Sequence, residues 1–510
     1  MAKKITPELS TTFAEYILLP GLTDSTNTPE NISLRTPLTK FKTGEEPKIS
    51  LNLPFTSAVM QAVSGHKMGI ALAKEGGLSF IFTSQTIKNQ AEMVAKVKNF
   101  KAGFVNSKAN LSPENTLEDA LKLTDETGYS TIAITRDGQN NSELMGILTK
   151  QDYWLDYEPL TTPLGQLMTP FEKINHGLEG ITLPEANEIL RKSKKSCIPI
   201  INNESERILK ALVFKKDREK HKDFPDELID EQKRIIAGAG INSKDYVERV
   251  PALVSAGADV LVIDTSDGWN QYVGDALKWI KTNYPNIPCG AGNIVSAEAF
   301  DYLVSAGADF VKVGIGGGSI CITQEVKGIG RGQASALLDI VSARDKYFDS
   351  TGIYVPICSD GGLVQDSHIT IALALGADFV MMGRYFARCD ESPTEKKILN
   401  HFGLAKPYWG EGSDRAKNWQ RYGQENGNIK FEEGVDGWVP YAGPVKDIVR
   451  RSGTVIKSTL SNLGCNNLKE LHERAVLEKR SPTSMREGKP HDIQIGADNM
   501  DAYKKMYWGE

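Results

Sequence analysis

The sequence predicts an α/β protein, a (β/α)8 TIM barrel interrupted by one inserted module. Three observations carry this. The stretches LVSAGADVLVID (253–264), LVSAGADFVKVG (303–314) and ALALGADFVMMG (372–383) repeat one helix-to-strand unit, with a weaker cousin, IALAKEGGLSFIF, at 70–82. Apolar runs around these units bring the strand count to eight. The gap from Gly76 to Gly257 is 181 residues, against 50 and 69 between the later units, so something else is folded into it.

Each unit ends its helix at a glycine suited to a left-handed C-cap, turns at an aspartate, and enters a nearly continuous apolar strand. Strands buried on both faces of a parallel sheet read this way. The eight predicted strands are Pro54–Ala58, Leu78–Phe82, Arg234–Gly238, Val260–Asp264, Ile287–Ala291, Phe310–Gly314, Val355–Asp360 and Phe379–Gly383. An open doubly wound sheet would place a Gly-x-Gly-x-x-Gly turn between its first strand and helix, and that turn is missing.

The insert falls between the second and third strands and is assigned residues 105–225, leaving 1–104 and 226–510 to the barrel. Its N-terminal border lies near Phe104–Asn110. Its C-terminal border is a charged stretch, Asp217–Arg234, in which 12 of 18 residues are ionic, as in a solvated helix or linker. Within it, residues 116–152 and 182–217 echo one another as helix, strand, turn, strand. This order, with Thr149-Lys150-Gln151-Asp152 closing the first half, resembles a pair of CBS modules, which associate in tandem and often bind adenine or guanine nucleotides. Phe214 stands where Thr149 does, so the second half lacks that hydroxyl.

Sixty basic against sixty-five acidic residues leave a formal charge of −5, so no polycationic surface for nucleic acid is expected. No run approaches the roughly 18 apolar residues of a membrane span, and the chain reads as cytoplasmic. The six cysteines (Cys197, Cys289, Cys321, Cys358, Cys389 and Cys465) are scattered singly, which argues against a zinc site or a disulfide scaffold.

Chemistry in such a barrel gathers on the loops after the strands. Gly314-Ile315-Gly316-Gly317-Gly318-Ser319-Ile320-Cys321-Ile322-Thr323 follows the sixth strand, and its glycines permit positive φ and close backbone approach. Cys321 is the cysteine placed where a nucleophile would be useful. Ser359-Asp360-Gly361-Gly362 follows the seventh strand and Gly383-Arg384 the eighth, where barrels often build a phosphate seat. Asp360 could accept from two ribose hydroxyls while the glycine amides and Arg384 hold the phosphate.

From about Phe13 to His491 the chain resembles the inosine-5′-monophosphate (IMP) dehydrogenase family. GIGGGSICIT matches the catalytic cysteine loop, SDGG and GR the phosphate site, and Asn418-Trp419-Gln420-Arg421-Tyr422 a mobile flap, about 403–441, that carries a water-activating pair. The resemblance implies that Cys321 attacks C2 of IMP, that hydride passes to NAD, and that the covalent thioimidate is hydrolysed with Arg421 as base, assisted by Tyr422 and Thr323. It implies IMP contacts at Met60, Ser319, Asp360, Gly362, Gly383, Arg384, Tyr408, Gly410, Glu411, Gly412 and Glu433, and NAD contacts at Asp264, Thr265, Ser266, Gly314 and Gly316. It also implies a potassium ion on the carbonyls of Gly316, Gly318 and Cys321, completed from a neighbouring subunit by Glu487, Gly488 and Lys489 of a homotetramer, with octamers through the CBS pair. Lys489 replaces a family glycine and narrows the backbone freedom there. GMP reductase, the enzymatic rival, needs no hydrolytic flap and typically lacks the insert. A nucleotide sensor with an inactive barrel would not need Cys321, Thr323 and Arg421.

Overall fold

The computed structural model describes residues 5–6, 8–100, 109–127, 130–181, 183–214, 224–231, 234–400, 403–419 and 431–493. The chain divides into two compact units, one of Met1–Lys98, Asp226–Leu228 and Ile236–Glu510, the other of Asn99–Pro225 and Ile229–Ile235.

The first unit is a closed parallel barrel of eight strands: β1 (Phe55–Ser57), β2 (Leu78–Ile81), β3 (Gly238–Ile241), β4 (Val260–Asp264), β5 (Cys289–Ile294), β6 (Val311–Val313), β7 (Ile357–Asp360) and β8 (Phe379–Met382), each paired with the next and β8 with β1. The third strand corrects the expectation. Arg234–Ala237 lies before β3, and the strand itself is the less apolar Gly-Ala-Gly-Ile. The fifth likewise starts two residues later than expected, as Cys-Gly-Ala-Gly-Asn-Ile. Small residues are used there because the barrel interior is filled with aromatic rings. Phe310 lies 6.0 Å from Phe80 and 5.6 Å from Phe379, centroid to centroid. A Cβ on Gly238 would press on Phe80, and one on Gly290 would run into the Phe310 ring.

The repeated Gly-Ala-Asp has a structural cause. Gly257, Gly307 and Gly376 all have left-handed φ, between 93° and 109°, ending their helices as expected. The aspartates reach across to the preceding strand: Asp259 accepts the N–H of Ala237, Asp309 that of Cys289 and Asp378 that of Ile357, at 2.6–2.7 Å. Each carboxylate also meets a cation from the outer helices, Lys98, Lys281 and Arg344 respectively. The motif therefore pins the starts of adjacent strands together in pairs, and satisfies a backbone donor at each closure.

The second unit contains two similar halves. Helix Leu117–Thr127 precedes the antiparallel strands Thr131–Thr135 and Leu144–Thr149; helix Leu183–Ser193 precedes Cys197–Ile201 and Leu209–Phe214. The halves share a buried cluster in which Ala133, Leu144 and Ile147 pack with Cys197, Ile201, Leu209 and Leu212. Ile229–Ile235 groups with this unit and is closed on itself by the Ile229–Ile235 bridge and the Asp230–Arg234 ion pair at 3.0 Å. Among the described residues no helix is long and apolar enough to cross a membrane.

Candidate active site

One pocket gathers the ends of six barrel strands. Asp264, Thr265 and Ser266 line it after β4; Gly314, Gly316, Gly318, Ser319, Cys321 and Thr323 after β6; Asp360 and Gly362 after β7; Gly383 and Arg384 after β8. Met60 and the segment Tyr408, Gly410, Glu411 and Gly412 complete it with Glu433. Glu487, Gly488 and Lys489 do not line this pocket. Arg421 and Tyr422 lie outside the described residues.

The cysteine loop is held by backbone pairing. Cys321 bridges Gly434, Ile322 N–H donates to Glu433 O at 3.1 Å, and Glu433 N–H donates to Gly412 O at 3.1 Å. Gly314 and Gly316 have positive φ, and a Cβ on Gly314 would run into the carbonyl of Asp360, so glycine there lets the β6 and β7 ends meet.

Cys321 is half-buried, whereas the other five cysteines are buried. Burial pushes the Cys289 thiol up to about 12, and those of Cys358 and Cys389 up also, which makes them poor nucleophiles at neutral pH. Cys321 Sγ sits 3.1 Å from Thr323 Oγ1, which donates to Glu433 Oε2 at 3.2 Å. Glu433 Oε1 pairs with Lys327 at 2.7 Å. The line from sulfur to hydroxyl to carboxylate can move a proton away from a reacting centre.

Three residues here escaped the sequence reading. Lys312 in β6, 1% exposed, bridges Asp264 at 2.7 Å and Asp360 at 2.5 Å. Burial works against its charge, but the two carboxylates more than offset this and hold its pKa above the usual lysine value. A lysine inside a strand buried on both faces was itself the signal. Asn293 donates to Gly314 O at 2.7 Å and Asp360 Oδ2 at 2.9 Å, while its own Oδ1 is buried without a partner among the described residues. Lys327 is the third.

Around the expected phosphate seat, burial lowers the Arg384 pKa and raises that of Tyr408. Tyr408 Oη lies 3.7 Å from Met60 Sδ, and Glu411 accepts Gln61 N–H at 2.6 Å. Gly361 and Gly362 both have positive φ. A ribose phosphate fits these groups: Asp360 and the orphaned Asn293 oxygen offer acceptors to hydroxyls, and Arg384 a charge to phosphate. A second ribose would find Asp264, whose carboxylate Lys312 already fixes. For a monovalent cation, Gly488 follows helix Pro482–Glu487, where terminal carbonyls lack intrahelical donors. Gly488 has φ −73°, and Lys489 is not in the left-handed region, so the lysine imposes no strain.

The family model for the IMP dehydrogenase / GMP reductase domain matches residues 10–491. Among curated proteins the chain is 50% identical over 488 residues to inosine-5′-monophosphate dehydrogenase of Tritrichomonas foetus, covering 95% of this chain and 96% of that one. It is 36% identical to the enzyme of the same name from Aquifex aeolicus, with the same coverage. Among solved structures it resembles a cysteine-to-alanine variant of the GMP reductase of Trypanosoma brucei in complex with guanosine 5′-monophosphate, with TM-score 0.85 and 28% identity over 96% of this chain and 98% of that one. That alignment covers 96% of this chain, so length and insert do not by themselves separate the two activities.

Proposed function

The chain belongs to the IMP dehydrogenase / GMP reductase family, and from that premise we infer that it oxidises IMP to XMP with NAD, in guanine nucleotide synthesis. The observation that carries this is the half-buried Cys321, tied through Thr323 to Glu433, in the pocket that Asp360 and Arg384 share. Arg384 and the amides of Gly362 and Gly383 hold the phosphate, and Asp360 the ribose. Ser319, Met60, Tyr408, Gly410, Glu411, Gly412 and Glu433 enclose the rest of the nucleotide.

Cys321 adds as thiolate to C2 of the hypoxanthine, its thiol proton released to solvent as the C–S bond forms, and the C2–H bond breaks with both its electrons leaving carbon. Bound NAD, on Asp264, Thr265, Ser266, Gly314 and Gly316, supplies the acceptor for that hydride. Water then forms a bond to C2, the C–S bond breaks, and the water's proton ends on the sulfur. Arg421 and Tyr422 serve this second half with Thr323. Potassium would sit on the carbonyls of Gly316, Gly318 and Cys321, and on Glu487, Gly488 and Lys489 from a neighbouring subunit of a homotetramer, adding positive charge beside the cysteine loop.

The second unit is a CBS pair that takes an adenine or guanine nucleotide in its first half and can join tetramers into octamers. Asp152 there accepts from Thr149 and Thr169 hydroxyls at 2.7 and 2.8 Å, an ordered acid at the end of its strand. Its counterpart Asp217 lies outside the described residues. The activity is tested by mixing the protein with IMP and NAD and recording NADH absorbance. Absorbance gained from IMP and NAD supports the reading; loss of NADPH absorbance with GMP, and none gained with IMP, would replace it with GMP reduction.

A further inference from the structure

Thr323 and Lys327 stand at the two ends of the five-residue helix Thr323–Lys327, one turn apart and so on one face. Glu433 is gripped between them: Oε2 accepts from Thr323 at 3.2 Å and Oε1 pairs with Lys327 at 2.7 Å. The Glu433 side chain is 7% exposed, and that of Lys327 is 32% exposed, its ammonium 5.6 Å from the Phe431 ring centroid. Gly328 closes the helix with φ 65°, so the lysine lies just before a fixed turn. The Glu433 backbone is held on both sides, by Ile322 and Gly412, which leaves the carboxylate's rotation as its main freedom.

A buried carboxylate without a counter-charge tends to turn toward water. With a cation on one oxygen, the other is directed. We propose that Lys327 is a positioning residue for the hydrolytic half of the reaction: it holds the Glu433 carboxylate with Oε2 on Thr323, so that this pair can pass the proton of the water attacking C2 on to the departing sulfur. The proposal rests on the IMP-oxidising reading. Among the described residues, Lys327 does not line the pocket and touches the chemistry through Glu433. Hydride transfer precedes water attack and does not need the lysine.

The test uses the full chain carrying Lys327→Met or Lys327→Arg, each alone and in a Glu433→Gln background, with NADH burst, steady-state turnover and KM for IMP as readouts. Lys327→Met should lower steady-state turnover about tenfold while the burst and KM stay within about twofold, and Lys327→Arg should restore most of the loss. In the Glu433→Gln background Lys327→Met should add less than about a twofold loss, because it acts through that carboxylate. Lys327→Gln replaces methionine if the latter impairs folding. Wild-type turnover in Lys327→Met, or an equal loss in both backgrounds, would overturn the proposal. Absence of NADH from the unsubstituted chain overturns the activity and the proposal with it, whereas a normal unsubstituted chain with additive losses overturns the proposal alone.

Discussion

Replacing Lys312 by methionine keeps the stem of the side chain in β6 and removes the charge between Asp264 and Asp360. The Lys312 side chain is 1% exposed and that of each aspartate 18%, so neither acid can recover full hydration when the charge is lost. Removing one partner of a buried pair costs about 3–5 kcal/mol, and the partly exposed carboxylates place this case near about 3 kcal/mol. Binding should suffer at both ends of the pocket. Asp360 is the proposed IMP ribose acceptor and Asp264 the NAD ribose acceptor, and a hydrogen bond to a charged group is worth about 1.5–3 kcal/mol, or about 10–100-fold. Lys312→Met should therefore raise KM for both IMP and NAD by at least about tenfold, whereas Asp360→Asn should weigh on IMP and Asp264→Asn on NAD. Initial NADH rates over a grid of IMP and NAD concentrations read all three, and the urea midpoint reads the stability loss. Unchanged KM values for both substrates, with only the urea midpoint lowered, would refute the idea that this lysine organises the two ribose sites.

Arg421→Ala should retain an NADH burst of about one equivalent per site while steady-state turnover falls by orders of magnitude, because hydride transfer involves no water; loss of the burst would make Arg421 a binding residue. His472, on helix Leu468–Arg474, is half-buried against Ala377 O at 3.2 Å, and its desolvation there lowers its pKa below 6.5. The unfolded chain then binds the extra proton first, so stability is complete above about pH 6.5 and falls as the pH drops below it. His472→Gln should flatten the decline in urea midpoint between about pH 7 and about pH 5.5, and an unaltered slope would show that His66 and His368, whose pKa values are also lowered, carry it.

The barrel is legible where its closure leaves a repeated mark. Gly257-Ala258-Asp259, Gly307-Ala308-Asp309 and Gly376-Ala377-Asp378 recur because each glycine ends a helix with positive φ and each aspartate pins the neighbouring strand. β3 and β5 start later than their apolar pattern suggests because packing there demands absence of side chain: Gly238 and Gly290 make room for Phe80 and Phe310, and apolar periodicity is blind to space left for a ring. The same holds at the site. Cys321, Asp360 and Arg384 announce themselves through the loops that carry them, and the pocket joins them. Lys312, Asn293 and Lys327 act by holding other residues. Their partners are distant in sequence, as with Lys327 and Glu433, and only the folded chain brings them together.

The covalent step at Cys321 is the claim on which the account stands, and intact-mass measurement of protein quenched in acid during turnover with IMP and NAD tests it most directly. The account predicts a species heavier by one covalently bound nucleotide, mapped to the peptide containing Cys321, and neither adduct nor NADH from Cys321→Ala even though that variant still binds IMP within about tenfold of the unsubstituted chain. NADH formed at an undiminished rate by Cys321→Ala, or an adduct mapped to another cysteine, would contradict it.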